Sequence, residues 1–126
     1  MKNRETVTRS ARIVFGDDGV VRITVHAGTD MTLADVQENL RLVLSGAGGP
    51  APLLVDISRI RSLAPAARRH FHDPEGARSH RALALVVGSR VARVIGNFFQ
   101  AAGRGAPTRM FNSEADALAW LRARPG

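Results

Sequence analysis

Two apolar runs, residues 53–57 and 82–87, are each typical of a strand buried in the middle of a sheet. Small or polar residues stand at or just after the end of each run, where the chain leaves the predicted sheet. Ligands bind at the carboxyl ends of strands in open parallel sheets, so these residues form a candidate pocket. The candidate pocket consists of Asp56, Ser58, Gly88 and Ser89.

Each of these residues also has a plain structural interpretation, which we favour. An aspartate at the end of a strand, such as Asp56, often accepts hydrogen bonds from N–H groups of the following loop. Gly88 and Ser89 fit a turn followed by a helix N-cap, and the chain contains no Gly-Lys-Ser or Gly-Lys-Thr phosphate motif. The next glycine, Gly96, falls inside the following helix, which does not match a dinucleotide-binding loop.

His70 and His72 stand two residues apart in a segment whose spacing predicts a helix. On a helix, the two rings point about 200° away from each other, so they could chelate one metal only if the segment were a strand. The chain contains no cysteine, which excludes thiol catalysis, disulfides and thiolate metal sites. No nucleophile motif or pair of acids stands out, so we predict no enzymatic activity, no metal site and no cofactor.

The apolar spacing along the chain predicts alternating strands and helices. Residues 10–15 and 20–26 form a hairpin around a Gly-Asp-Asp-Gly turn. Thr32 and Asp35 are an N-cap pair that begins the first helix, and Gly46 is its predicted stop. The later elements are a strand at 53–57, a helix that begins at Pro65, a strand at 82–88, a helix from about Ser89, a strand at 107–111 and a helix capped by Ser113.

This order, β-β-α-β-α-β-α-β-α, predicts an α/β fold with a central, largely parallel mixed sheet and helices packed against it. Residues 1–126 are expected to form a single domain, with its core at about residues 8–124. Residues 1–10 are polar and no run of about 18 apolar residues occurs, so we predict a cytoplasmic protein without a membrane segment.

The helix after residue 89 has the clearest amphipathic pattern in the chain. Ala92 and Gly96 form a pair of small residues on it, and a glycine inside a helix often marks the close approach of another backbone. That backbone could belong to the sheet, to a neighbouring helix or to a second copy of the chain. The apolar stripe consists of Val91, Val94, Ile95, Phe98 and Phe99. The candidate homodimer face consists of Ala92, Gly96, Phe98 and Phe99.

The element order over residues 8–124, together with the segment LLVDISRIRSLAPAARRHF at 53–71, resembles a STAS domain, the fold of bacterial anti-sigma-factor antagonists. In that family the segment is a buried strand, a short loop and Asp-Ser-Ser-Gly at the start of a helix. Residues 53–58 match the strand and its end, and Phe71 matches a buried helical position. The chain is also similar to small stand-alone STAS-like bacterial proteins of unknown function, through VGSRVARVIGNFF and PTRMF.

The chain departs from the STAS pattern where the family carries its phosphorylated serine. Ala-Pro-Ala-Ala at residues 64–67 replaces Asp-Ser-Ser-Gly, so the hydroxyl that the switch needs at the helix N-terminus is missing. We expect no phosphorylation at Pro65 or Ala66. Ser58 and Ser62 lie nearby, but serines in tight turns usually make local hydrogen bonds. The resemblance then implies a non-enzymatic, regulatory protein-interaction module without the serine switch.

The net charge of the chain is +7, from 17 arginines and one lysine against 11 acids. This balance could attract acidic proteins, phosphates or anionic membranes, and it could also reflect genomic composition alone. Residues 59–81 hold six of the arginines and only two acids. We predict that an acidic protein partner or an anionic ligand meets this segment. The candidate residues are Arg59, Arg61, Arg68, Arg69 and His72.

Two other classes of function stay open. A small molecule, a lipid or another anionic ligand could bind near Asp56, Gly88 and Phe98. The charge also allows nucleic-acid binding, but no recognition-helix motif is visible and aromatic residues make up only 5% of the chain. Few side chains are therefore available for stacking on bases. We expect the chain to bind a protein partner rather than a nucleic acid.

Overall fold

The computed structural model describes residues 4–70, 80–101 and 107–123, apart from the side chains of 98–101. The strands of this part are β1 (Arg4–Val7), β2 (Ala11–Phe15), β3 (Val21–Val25), β4 (Asp30–Met31), β5 (Ala51–Asp56), β6 (Ser62–Leu63), β7 (His80–Val86) and β8 (Thr108–Phe111). The helices are α1 (Leu33–Ala47), α2 (Pro65–His70), α3 (Arg90–Ala101) and α4 (Glu114–Ala123).

Six of the strands form one sheet in the order β1-β2-β3-β5-β7-β8. β1, β2 and β3 are antiparallel neighbours, whereas β3, β5, β7 and β8 run parallel to one another. β4 and β6 form a separate parallel pair, in which Asp30 lies beside Ser62 and Met31 beside Leu63. The α/β class and the largely parallel mixed sheet predicted from the sequence are confirmed.

Helices cover both faces of the sheet. α1, α2 and α3 pack on one face, where they contribute Val36, Ala67 and Ala92 to the main buried cluster. α4 packs on the other face, where Ala117 and Leu121 join a second cluster. β5 and β7 are covered on both sides, which explains why their sequences are almost continuously apolar.

α1 begins with the capping box that the sequence predicts. The Thr32 hydroxyl accepts a hydrogen bond from the Asp35 N–H, and the Asp35 carboxylate accepts one from the Thr32 N–H. The prediction that Gly46 stops this helix is wrong, because Gly48 ends it in the left-handed conformation at φ 74°. Gly46 lies inside the helix, and a Cβ there would overlap the ring of Phe15. Close packing therefore explains this glycine.

Two parts of the fold were missed by the sequence analysis. β1 is an additional edge strand in the polar N-terminal segment, and it carries an ion pair between Glu5 and Arg12 of β2. β4 and β6 contain two residues each, which is too few to produce a recognisable periodicity. The pairing of β4 with β6 determines the shape of the candidate site.

His80 supplies a test of the packing at the start of β7. Burial lowers the pKa of this histidine to about 4, so the folded chain keeps it neutral while an unfolded chain protonates it near its ordinary pKa of 6.5. The free energy of unfolding should therefore fall as the pH drops from about 6.5 towards 4, with a loss of about 2 kcal/mol at pH 5 relative to pH 7.5. Urea denaturation at the two pH values measures this difference.

The matched variants are His80→Gln, which removes the buried imidazole, and His26→Gln, which replaces a half-buried imidazole elsewhere. His80→Gln should lose most of the difference between pH 7.5 and pH 5, and His26→Gln should keep it. An equal pH dependence in wild type and His80→Gln would contradict the prediction.

Candidate functional site

The four residues of the candidate pocket lie together at the carboxyl ends of β5 and β7. The Asp56 carboxylate accepts a hydrogen bond from the Ser58 N–H at 2.9 Å, which closes a tight turn directly after β5. The Ser58 hydroxyl accepts one from the Gly88 N–H, also at 2.9 Å. A Cβ on Gly88 would lie 2.9 Å from that hydroxyl oxygen, so glycine allows the two loops to approach each other.

Ser89 completes this arrangement as the N-cap of α3, because its hydroxyl accepts a hydrogen bond from the Ala92 N–H at 3.1 Å. The polar atoms of the candidate pocket thus bind one another and the neighbouring backbone. This is the structural interpretation of Asp56, Gly88 and Ser89 that the sequence analysis favoured over a ligand-binding role.

The loop after β5 is fastened to the segment that leads into β4. Backbone hydrogen bonds and one side-chain hydrogen bond join the two segments at distances between 2.6 and 3.2 Å. The joined pairs are Gly28 with Arg59, Thr29 with Arg61, Thr29 with Ser62, Asp30 with Ser62, and Met31 with Ala64. Hydrogen bonds therefore pair this loop with a neighbouring segment, as they pair strands in a sheet.

The start of α2 occupies the place where the sequence resembles the STAS switch. Pro65 begins the helix as predicted, and Ala67 is buried beneath it. The N–H of Ala64 donates to the Met31 carbonyl at 2.9 Å, and Pro65 has no N–H to offer. The expectation that no phosphate is accepted at Pro65 or Ala66 rests on these side chains and stays a prediction.

The predicted basic surface is only partly grouped around this loop. Arg59, Arg61 and Arg69 are exposed, Arg68 is half-buried, and His72 lies outside the described residues, as does Phe71. The Arg61 guanidinium forms an ion pair with Asp30, with Nε 3.2 Å from Oδ1. Arg61 lies beside an apolar groove, and the ion pair with Asp30 is itself exposed to solvent.

That groove, of about 380 Å³, runs between β6 and the first half of α3. Its floor is apolar, and an arginine stands on each wall, one from the loop before β6 and one at the start of α3. Two of its valines are unusually open for large apolar side chains, Val91 at 47% exposure and Val94 at 56%. The lining consists of Arg61, Ser62, Leu63, Arg90, Val91, Val94 and Ile95. We refer to these seven residues as the β6–α3 groove.

A small enclosed void of about 30 Å³ lies beneath the groove. Leu63 and Ile95 border both spaces, and the other side chains around the void are apolar residues of the core. The floor of the groove therefore rests partly on empty space.

Two residues of the predicted dimer face lie against the sheet. Ala92 is fully buried, and a Cβ on Gly96 would collide with the side chain of Met110 and press on Val87. These small residues let α3 lie close to the sheet, which was the alternative that the sequence analysis left open. They are not available to a second copy. The side chains of Phe98 and Phe99 lie outside the described part of the chain.

Sequence reasoning missed most of the groove because it placed Val91 and Val94 on the same stripe as the buried side of α3. The signal that could have corrected this was the pair Ala92 and Gly96. Small residues four apart mark the side of a helix that lies closest to its support, and Val91 and Val94 stand about 120° and 180° around the helix from that side.

Metal and membrane features give little further information. Among the described residues, no three histidine, aspartate or glutamate side chains are grouped so that they could hold a metal ion. Within residues 4–70, 80–101 and 107–123, no helix is both long enough and apolar enough to span a membrane.

The fold is that of SpoIIAA-like, or STAS-like, proteins. An uncharacterized protein of the DUF3478 family with a SpoIIAA-like fold, from Shewanella loihica PV-4, matches with a TM-score of 0.56 and 15% sequence identity, over 95% of this chain and 92% of that chain. The anti-sigma factor antagonist SpoIIAA in its unphosphorylated form matches with a TM-score of 0.49 and 12% identity, over 98% of this chain and 100% of that chain. The STAS-like fold predicted from the resemblance is confirmed.

The family is defined by sequence. The profile of a domain of unknown function, DUF7793, matches residues 14–124, and the chain belongs to this family. A protein of unknown function from Arthrobacter sp. FB24 is 33% identical over 89% of this chain and 99% of that chain, with a TM-score of 0.34. No curated protein matches the sequence significantly.

The inward position of Gly96 can be tested by mutation. Gly96→Leu should lower the free energy of unfolding by about 1–3 kcal/mol, because the added side chain has no space between α3 and Met110. The control is Asn97→Leu, an exposed position one residue further along the same helix, where little change is expected. Urea denaturation compares the two. Equal stability of both variants would show that Gly96 does not face the sheet.

Proposed function

We propose that this protein is a non-enzymatic, cytoplasmic binding module with a regulatory role, and that the β6–α3 groove receives an acidic protein partner. The observation that carries the proposal is the groove itself, in which the exposed side chains of Val91 and Val94 lie between Arg61 and Arg90. An apolar contact area with charges at its margin is the usual composition of a protein-binding surface.

Binding is favoured over catalysis by the state of the polar groups at this end of the sheet. The hydroxyls of Ser58 and Ser89 and one carboxylate oxygen of Asp56 accept hydrogen bonds from backbone N–H groups. A nucleophile or general base needs a free lone pair directed at a substrate. Each of these three side chains already has a structural use in one of the two turns, although lone pairs remain on all of them.

The apolar part of the groove is contiguous, which distinguishes it from the scattered exposed apolar residues of any surface. Val91 and Val94 lie one turn apart on α3, and Leu63 and Ile95 continue the same floor. Contiguous apolar surface remains exposed in a soluble chain at a cost in free energy, and such patches mark binding sites.

The charges favour an acidic partner over a second copy of the chain. In a twofold dimer the same patch faces itself, so Arg61 and Arg90 of the two copies would be brought together and would repel each other. Carboxylates of an acidic partner would instead be attracted to both arginines. The predicted homodimer therefore becomes an alternative outcome of the experiment.

A lipid or another apolar ligand is less well supported at this place. The void beneath Leu63 and Ile95 measures about 30 Å³, roughly a tenth of the smallest ordinary ligand pocket. It provides no channel for an acyl chain. The groove above it is open to solvent, as suits a side chain of a protein partner.

The experiment uses the tagged full-length chain to capture partners from its native host, and mass spectrometry to identify them. Each acidic protein found is then purified, and its affinity is measured directly. Val91→Asp with Val94→Asp should weaken binding about tenfold or more, because the change removes apolar contact and introduces repulsion. Arg61→Glu with Arg90→Glu should do the same and should reduce the salt dependence.

The matched control is Arg41→Glu with Arg109→Glu, which changes the net charge equally at two exposed positions outside the groove. It should bind as wild type does. Circular dichroism confirms that every variant is folded. A partner whose affinity is unaffected by both groove variants would refute the proposal. The proposal would also be refuted by a homodimer at the groove. In that case the wild-type protein would have a mass of twice 13.5 kDa in solution, and the variant Val91→Asp with Val94→Asp would have the mass of a monomer.

A further inference from the structure

A second and larger cavity lies at the opposite end of the sheet, away from the β6–α3 groove. It is an open cleft of about 590 Å³, within the range of sites that hold small molecules. The turn between β2 and β3, the connection from α1 to β5, the beginning of β7 and the end of α4 surround it. We refer to it as the amino-end cleft, because β5 and β7 both begin there.

The amino-end cleft is positively charged. Arg4, Arg81 and Arg122 line it, and Asp18 is its single acidic residue among the described lining. Three positive charges against one negative charge leave a net charge of +2 on the lining. A phosphomonoester carries about −1.5 to −2 near neutral pH, so one such group matches this charge.

Arg81 reaches the cleft through an irregularity in the sheet. Ala51 pairs with His80 and Pro52 pairs with Ala82, so Arg81 has no partner on β5. Pro52 has no N–H for the ladder, which accounts for the interruption. An unpaired residue of this kind changes the direction of its side chain, and such bulges often stand beside binding sites. The exposed guanidinium of Arg81 makes no hydrogen bond or ion pair with a described residue.

The other two arginines are held in place by the fold. Arg122 donates to the Asp18 carboxylate at 2.7 Å, and Arg22 donates to the same oxygen at 3.0 Å. Hydrogen bonds from Arg22 and then from Arg122 outweigh the effect of burial and keep the pKa of Asp18 well below its usual range, so this anchor stays ionised. Arg4 donates to the Gly46 carbonyl at 2.5 Å and lies over the ring of Phe15.

The remaining wall of the cleft is largely apolar. Its accessible apolar side chains are those of Phe15, Ala47, Pro50 and Pro52, whereas Val20 and Leu121 are almost fully buried behind it. A bare phosphate ion would leave this wall and most of the volume unused. An organic group attached to the phosphate would cover the wall and gain from burial of apolar surface.

We propose that the amino-end cleft binds a small phosphomonoester. The phosphate lies against Arg81, with Arg4 and Arg122 at its sides, and the organic group lies against Pro50 and Pro52. Arginine suits this role because its planar fork can donate two parallel hydrogen bonds to a phosphate. The site is separate from the β6–α3 groove and does not depend on the function proposed for it.

The test is an amide NMR titration of the full chain with three probes, namely phenyl phosphate, inorganic phosphate and benzyl alcohol. Phenyl phosphate should shift the amides of residues 16–21 and 47–53 in a saturable way. Its Kd should be about tenfold or more lower than that of inorganic phosphate, because the ring adds apolar contact. Benzyl alcohol, which lacks the charge, should not saturate the site at the same concentrations.

Arg81→Gln should raise the Kd for phenyl phosphate about tenfold or more, since it removes charge-assisted hydrogen bonds. The matched control is Arg41→Gln, at an exposed position on α1 outside the cleft, and its Kd should equal that of wild type. The spectrum of each free variant shows whether its fold is intact. Val91→Asp with Val94→Asp should also bind phenyl phosphate normally, which separates this site from the groove.

Three results would overturn the proposal. The first is the absence of saturable shifts around the cleft with phenyl phosphate. The second is an equal Kd for Arg81→Gln and Arg41→Gln, which would indicate attraction to the overall charge of the chain. The third is an equal Kd for phenyl phosphate and inorganic phosphate, which would show that the apolar wall is not used.

Discussion

The parallel pairing of β4 with β6 is the constraint on which the structure at the carboxyl end of the sheet depends. It takes a loop that would otherwise be free after β5 and joins it to the chain before α1. Because the pairing fixes Ser62 and Leu63, it also fixes the place where α2 can begin. Arg61 is held beside it through Asp30. The backbone pairing of β4 with β6, two residues on each strand, therefore positions one wall of the β6–α3 groove.

The other wall is set by how closely α3 approaches the sheet. Ala92 and Gly96 bring the helix axis near Val87 and Met110. Val91 and Val94 point about 120° and 180° around the helix from this contact, so the sheet does not cover them and they remain exposed. The groove is thus a consequence of two backbone arrangements, and no single motif encodes it.

The sequence predicted those parts of the structure that depend on local patterns. The buried strands β5 and β7, the capping box of α1 and the start of α2 at Pro65 each follow from a few neighbouring residues. β4 and β6 could not be predicted in this way, because their pairing joins residues about 30 apart in the chain. The amino-end cleft was missed for the same reason. Its arginines come from β1, β7 and α4, and they share no spacing in the sequence.

The void beneath Leu63 and Ile95 affects how selective the groove can be. Side chains with free space behind them can move to fit apolar groups of different shape, so the floor of the groove would discriminate weakly between partners of the proposed kind. Under the proposed function, selectivity would then come from the rim, where the Arg61 guanidinium forms an ion pair with Asp30. Partners that share an arrangement of carboxylates could differ widely in their apolar side chains and still compete for this surface.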